Sequence, residues 1–255
     1  MIYKTIALDM KDRISILTLN NPSKLNAFNN ETLNELSEAI NNLDQNPSID
    51  VIIITGAGKA FVAGADISYM ENLPPAEAVA YSERTTDVYK KIYQSQKVFI
   101  AAINGYALGA GCEFALSCDL RIASPKAKLG LPETGLGIIP GGMGTQLLPR
   151  TVGLTKAKEL IFTGSTITAD EALSIGLINK VVPHDDLIEE AMEIAYKICK
   201  NSISAVGYAK EAINIGYNLD LNSAVHLERN LFGLCFNTVD QKEKMKAFVN
   251  KTTSK

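Results

Sequence analysis

Between Lys97 and Asp119 the only charged residue is Glu113, in a stretch about as long as a bilayer span. Gly105 and Gly109 even stand at the GxxxG spacing of packed membrane helices. The turn signal Asn104-Gly105 and the glycines Gly109 and Gly111 break the run, and no second hydrophobic span exists to pair with it. The segment therefore predicts a strand over Val98–Ile103, a glycine-rich loop, and a buried helix that carries Glu113. A membrane role is not expected.

The rest of the chain supplies elements to cover that segment. Ile2–Leu8 and Arg13–Leu19 are short, β-branched and partly alternating, which predicts a hairpin turning at Met10-Lys11-Asp12. Leu33, Leu36, Ile40 and Leu43 recur at helical intervals, with Asn29 or Asn30 able to cap the start. The continuous run Val51-Ile52-Ile53-Ile54 suits a strand covered on both faces, spanning Asp50–Thr55. A helix is expected from Pro74-Pro75 to about Tyr93, and a third short strand over Leu120–Ala123. After Pro183 the texture is helical, with predicted helices over Leu187–Cys199, Ile203–Ile215, Leu221–Phe236 and Gln241–Val249. The residues alone thus predict an α/β core followed by a helical tail.

At 255 residues, folding buries roughly three quarters of the unfolded surface, so core size is not limiting. The 25 basic and 28 acidic residues leave a formal charge of −3, which argues against a nucleic-acid footprint or a polybasic membrane contact. Cys112, Cys118, Cys199 and Cys235 form no CxxC pair, and the chain has only two histidines, so reduced thiols and no structural metal are expected. Lys4 and Asp9 interrupt the only candidate secretion signal, and the expected location is cytoplasmic. Two glycine loops imitate nucleotide sites. Gly58-Lys59 lacks the P-loop glycine, with Ile53 in its place, and the following Ser or Thr, replaced by Ala60; Gly109-Ala110-Gly111 has Phe114 at the third glycine position of a dinucleotide fingerprint.

Two carboxylates stand out as candidates for chemistry. Glu113 follows Gly109-Ala110-Gly111 among small and apolar residues, where catalysis competes with a helix-dipole role or a pairing with Arg121. Glu133 follows Pro132 and precedes Gly135 and Gly137, and taken alone it reads as a cap or surface ion pair as readily as a site. Gly64-Ala65-Asp66 and Gly109-Ala110-Gly111 each enter a predicted helix, where unpaired N–H groups suit developing negative charge. Asp66 also suits an N-cap for Ile67–Tyr69.

In combination these segments resemble the enoyl-CoA hydratase/isomerase, or crotonase, superfamily along essentially the whole chain. The resemblance runs through Asn21-Pro22 with Asn26-Ala27, Phe61–Ile67, Ile100–Asp119, Gly130–Gly144, and Thr163-Gly164 to Gly176-Leu177. It is nearest to bacterial short-chain enoyl-CoA hydratases. It implies an α/β fold with a crotonase-like (ββα) spiral core, here residues 1–198, and a helical C-terminal trimerisation region, 199–255, that builds homotrimers or homohexamers. It also implies Glu113 as base, Glu133 as acid, and an oxyanion hole of the Ala65 and Ala110 amides. Ala63, Ala65, Asp66, Ile67, Ser68 and Ala110 would bind an acyl-CoA thioester, and no cofactor is needed beyond the coenzyme A of the substrate. Both glutamates together favour a hydratase over a double-bond isomerase or an idle acyl-CoA-binding scaffold. Ala110 and Met143 replace common glycines, Leu147 a common arginine and Ser68 a common lysine; an altered acyl pocket is expected from Met143 and Leu147. The end at Lys255, without a terminal aromatic, joins Ser68 in predicting modest coenzyme A affinity.

Overall fold

The computed structural model describes residues 3–253, so Ile2 and Lys255 lie outside the described residues. The chain opens with β1 (Ile6–Lys11) and β2 (Ile14–Leu19), an antiparallel hairpin with Lys11 opposite Ile14. The turn is therefore Asp12-Arg13, one residue past the expected position. Asp12 takes φ 55°, a left-handed conformation that Asp tolerates better than Met or Lys. Helix α1 (Asn30–Gln45) is capped by Asn29, whose side chain accepts from the Thr32 N–H, and it buries Leu33, Leu36, Ile40 and Leu43 as the spacing predicts.

From there the chain winds as a spiral of strand, strand and helix. The first turn is β3 (Val51–Gly56), β4 (Ala60–Val62), α2 (Ile67–Met70) and α3 (Pro75–Gln94). The second is β5 (Val98–Ile103), β6 (Tyr106–Leu108) and α4 (Ala110–Ser117). The third is β7 (Leu120–Ala123), β8 (Lys128–Gly130), a 3₁₀ turn at Pro132–Leu136, α5 (Gly144–Val152) and α6 (Leu154–Thr163). The first strand of each turn joins one sheet, ordered β1-β2-β3-β5-β7 and completed by β10 (Lys180–Val181). The second strand joins a smaller sheet, β4-β6-β8, completed by β9 (Thr166–Thr168), which precedes α7 (Ala169–Ser174).

The uninterrupted apolar runs follow from coverage on both faces. Ile52, Ile54, Phe99, Ala101 and Ile103 point into the core between the sheets and helices. Their alternates Val51, Ile53, Val98, Ile100 and Ala102 pack on the other side beneath Leu187, Ala191, Met192 and Ala195 of α8 (Leu187–Cys199). Period-two alternation is hidden in the sequence because neither face meets water.

Three more helices follow: α9 (Ile203–Gly216), α10 (Leu221–Cys235) and α11 (Val239–Thr253). They fall where periodicity places them, with α11 longer at both ends than the expected Gln241–Val249. Among the described residues no helix is long and apolar enough to cross a membrane, and Cys112, Cys118, Cys199 and Cys235 are free thiols.

Candidate active site

Every residue of α4 is buried, and its approach to the second sheet depends on one glycine. A Cβ on Gly111 would stand 2.0 Å from the Val62 carbonyl oxygen of β4. Without it, the start of α4 lies close to the Ala63–Ala65 segment that leaves β4. Gly109, with φ 51°, makes the turn from β6 into the helix.

Glu113, in the first turn of α4, is 2% exposed. Its Oε1 accepts from the Gly142 N–H at 2.8 Å and from the Gly144 N–H at 2.7 Å. Arg121 is not its partner. The guanidinium instead donates to the carbonyls of Ala115, Cys118 and Leu177, closing the C-terminal end of α4.

Glu133 sits in the 3₁₀ turn, 9% exposed, and is neither a cap nor a surface ion pair. Its Oε2 is buried and, among the described residues, has no hydrogen-bond partner. A Cβ on Gly109 would lie 3.0 Å from Glu133 Oε1, so the glycine turn and this carboxylate are neighbours.

Both glutamates line one cavity of about 980 Å³, together with Ala63, Ala65, Ile67 and Ala110. Burial pushes the Glu113 carboxyl up to about 7, the Gly144 and Gly142 amides oppose that, and the Glu133 charge adds to it. Burial also raises Glu133, against only its own backbone N–H. The two groups differ in supply of donors: two amides stabilise the anion of Glu113, whereas an oxygen without a donor favours the neutral acid at Glu133.

Ala65 and Ala110 both line this cavity, and their backbone amides differ from those around them. Ala63, Asp66 and Gly109 donate their N–H groups to Leu25, Phe28 and Gly130, but among the described residues the Ala65 and Ala110 amides donate to no protein oxygen. Ala110 is the first residue of α4, where a helix has no internal acceptor for its N–H. Asp66 and Ser68 do not line the cavity. The Asp66 carboxylate caps α2 by accepting from the Ser68 N–H and hydroxyl, and the Ser68 hydroxyl chiefly holds its carboxyl below the usual range.

The loop Pro140–Gly144 has a role that sequence reasoning misplaced. Met143 and Leu147 do not line the cavity; Leu147 lies in the core, and Met143 packs against its edge. What the loop contributes is the pair of amides that hold Glu113. Met143 sits between them at φ 78°, a left-handed conformation that glycine adopts freely and Met does not. The cluster Gly141-Gly142-Met143-Gly144 was the available signal for close backbone approach. Tyr89 was also missed: fully buried, it donates from its hydroxyl to the Ala110 carbonyl at 2.7 Å.

A ββα spiral closing on two buried carboxylates and two free amides defines the crotonase-like class. The chain belongs to the enoyl-CoA hydratase/isomerase family, whose sequence profile matches residues 9–255. It is 46% identical over 252 residues to a crotonyl-CoA hydratase of Syntrophomonas wolfei, covering 98% of this chain and 97% of that protein. A short-chain-enoyl-CoA hydratase of Clostridium acetobutylicum matches at 46% with the same coverage. Among solved structures, an enoyl-CoA hydratase from Bacillus anthracis superposes with a TM-score of 0.94 at 40% identity over 97% of each chain.

Proposed function

We propose that this protein is an enzyme that catalyses the reversible hydration of a short-chain trans-2-enoyl-CoA, of the crotonyl-CoA type, to the 3-hydroxyacyl-CoA. The observation that carries this reading is the meeting of Glu113 and Glu133 at one cavity with opposite supplies of hydrogen-bond donors. In this mechanism the thioester oxygen lies against the Ala65 and Ala110 amides. Water adds its oxygen to the β carbon while Glu113 takes its proton, and the π electrons move toward the thioester as an enolate. The amides stabilise the charge that grows on oxygen, an effect for which each donor is worth about 10²–10³ in rate. Glu133 then gives a proton to the α carbon, and proton exchange returns the pair to its starting state. Backbone of Ala63, Gly64, Ala65 and Ile67 on the cavity wall holds the coenzyme A portion, and no metal or redox group takes part.

The C-terminal helices supply the assembly, a homotrimer or its dimer. Free thiols, the acyl-CoA substrate and the absence of a membrane-length helix among the described residues fit a cytoplasmic setting.

The test is loss of the conjugated-thioester absorbance when purified protein meets crotonyl-CoA, run beside Glu113→Gln and Glu133→Gln. Each change is expected to lower turnover at least ~10²-fold. Wild-type turnover in Glu113→Gln would remove that residue from the mechanism. Activity confined to a 3-enoyl thioester would make the protein an isomerase instead, and saturable binding without turnover would make it a scaffold.

A further inference from the structure

Helix α3 carries Ser82, Thr86 and Tyr89 at i, i+4 and i+7, the spacing of one helix face. All three end on main-chain oxygens of the site. Ser82 Oγ donates to the Gly141 carbonyl at 2.6 Å, Thr86 Oγ1 reaches the same oxygen at 3.5 Å, and the Tyr89 hydroxyl holds Ala110. The Gly141 carbonyl and the Gly142 N–H are opposite ends of one peptide unit, and that N–H donates to Glu113 at 2.8 Å. A peptide is planar, so fixing its carbonyl fixes the direction of its N–H, and successive hydrogen bonds polarise one another.

The Gly141–Gly142 peptide has no side chain of its own to fix its orientation, so the hydroxyls of α3 act on it directly. Gly141 and Gly142 have no side chains to bury, and a Cβ on Gly142 would meet Tyr89 Cε2 at 2.6 Å and Glu113 Oε2 at 2.7 Å. Gly142 has no room for a side chain, whereas a Cβ on Gly141 would meet nothing nearer than Ser82 Oγ at 3.6 Å.

We propose that Ser82, backed by Thr86, is a positioning residue for Glu113: through the Gly141–Gly142 peptide it aims and strengthens the amide that stabilises the carboxylate. The consequence for catalysis rests on the reading of Glu113 as the base. The titratable groups that face Glu113 are Glu133 from the 3₁₀ turn, Tyr89 from α3 and Cys112 from α4. Glu83, Asp87 and Lys90 of α3 line the outer part of the same cavity. Removing the Ser82 and Thr86 hydroxyls alters no charge among them, so a change in Glu113 titration reports on the peptide.

The experiment follows the carboxyl carbon of Glu113 by NMR in full-length protein labelled with glutamate carrying ¹³C at Cδ, the resonance being assigned with Glu113→Gln. Ser82→Ala/Thr86→Val is expected to raise the midpoint by about half a unit, since a weaker donor stabilises the anion less. The acid limb of kcat/KM moves with it, about a threefold loss below the limb, with KM and the alkaline limb set by Glu133 retained. Ser82→Thr restores the wild-type profile. An unmoved midpoint in the double variant, or an equal loss at every pH, overturns the proposal. If Glu113→Gln instead turns over like wild type, the assignment of the base fails, while the NMR titration still decides whether Ser82 acts on Glu113.

Discussion

At Glu113, burial and two amide hydrogen bonds act in opposite directions, and burial wins, leaving the carboxyl at about 7 against an ordinary 4.5. The sign of its linkage to stability follows. Between those values the folded protein binds a proton that the unfolded chain has released, so stability falls as pH rises through this window. Above about 7 the folded protein carries the whole cost of an ionised buried carboxylate, up to about 3 kcal/mol. A Gln amide oxygen can accept from Gly142 and Gly144 without that charge. Glu113→Gln is therefore expected to be more stable than wild type at pH 8 and to lose the advantage toward pH 5. Urea unfolding at the two pH values checks it; an advantage independent of pH would mean that ionisation is not its source. The lone charge in an apolar stretch made Glu113 legible in the sequence. Its amide partners were not, because they lie 29 and 31 residues away. The burial of Glu133 was equally hidden, since its turn gives no local sign that α4 and Gly109 close over it.

The long helices were readable because several turns repeat the same apolar spacing, as in α1 and α8. The strands of the second sheet span three residues each, too few to show a period, and their register comes from the spiral rather than from their own side chains. Tertiary attachment of α9 was likewise invisible. Lys210 is buried on that helix and donates to the carbonyls of Ile92 and Lys97 and to the Asp119 carboxylate, at 2.9, 2.8 and 2.9 Å. Its ammonium also stands 5.4 Å from the centre of the Phe99 ring. Asp119 accepts from the Phe99 N–H as well, and burial raises its carboxyl against the pull of Lys210. Lys210→Met keeps the bulk but removes the ammonium from two carbonyls and from Asp119, leaving that carboxylate, among the described residues, only the Phe99 N–H. The expected loss is about 3–5 kcal/mol, the cost of breaking one side of a buried pair. Denaturant unfolding measures it, and Asp119→Asn in the same background should recover part of the loss. A loss below about 1 kcal/mol would show that solvent replaces the ammonium and that α9 is not pinned there.

Over the whole molecule, burial is unevenly shared between the spiral and the helices that follow it. Helix α8 closes the open face of the large sheet, but α9 buries only Gly207 and Lys210, and α10 only Leu231. The same helices expose Ile213, Leu221 and Phe232 at 67%, 79% and 65%. Helices of about fifteen residues gain most of their stability from packing an apolar face, and so little of that face meets its own chain that a second copy is the fitting cover. In the homotrimer proposed above, the C-terminal helices cover one another's exposed apolar faces, and that proposal can be tested at Phe232. Phe232→Glu places a charge in that contact without touching the cavity that holds Glu113 and Glu133. Wild-type protein is expected to run as a trimer or hexamer in light scattering, and the variant as smaller species with weaker protection of α9 and α10 against hydrogen exchange. If wild type is a monomer with both helices fully protected, the exposed apolar face needs no partner and the assembly proposal fails.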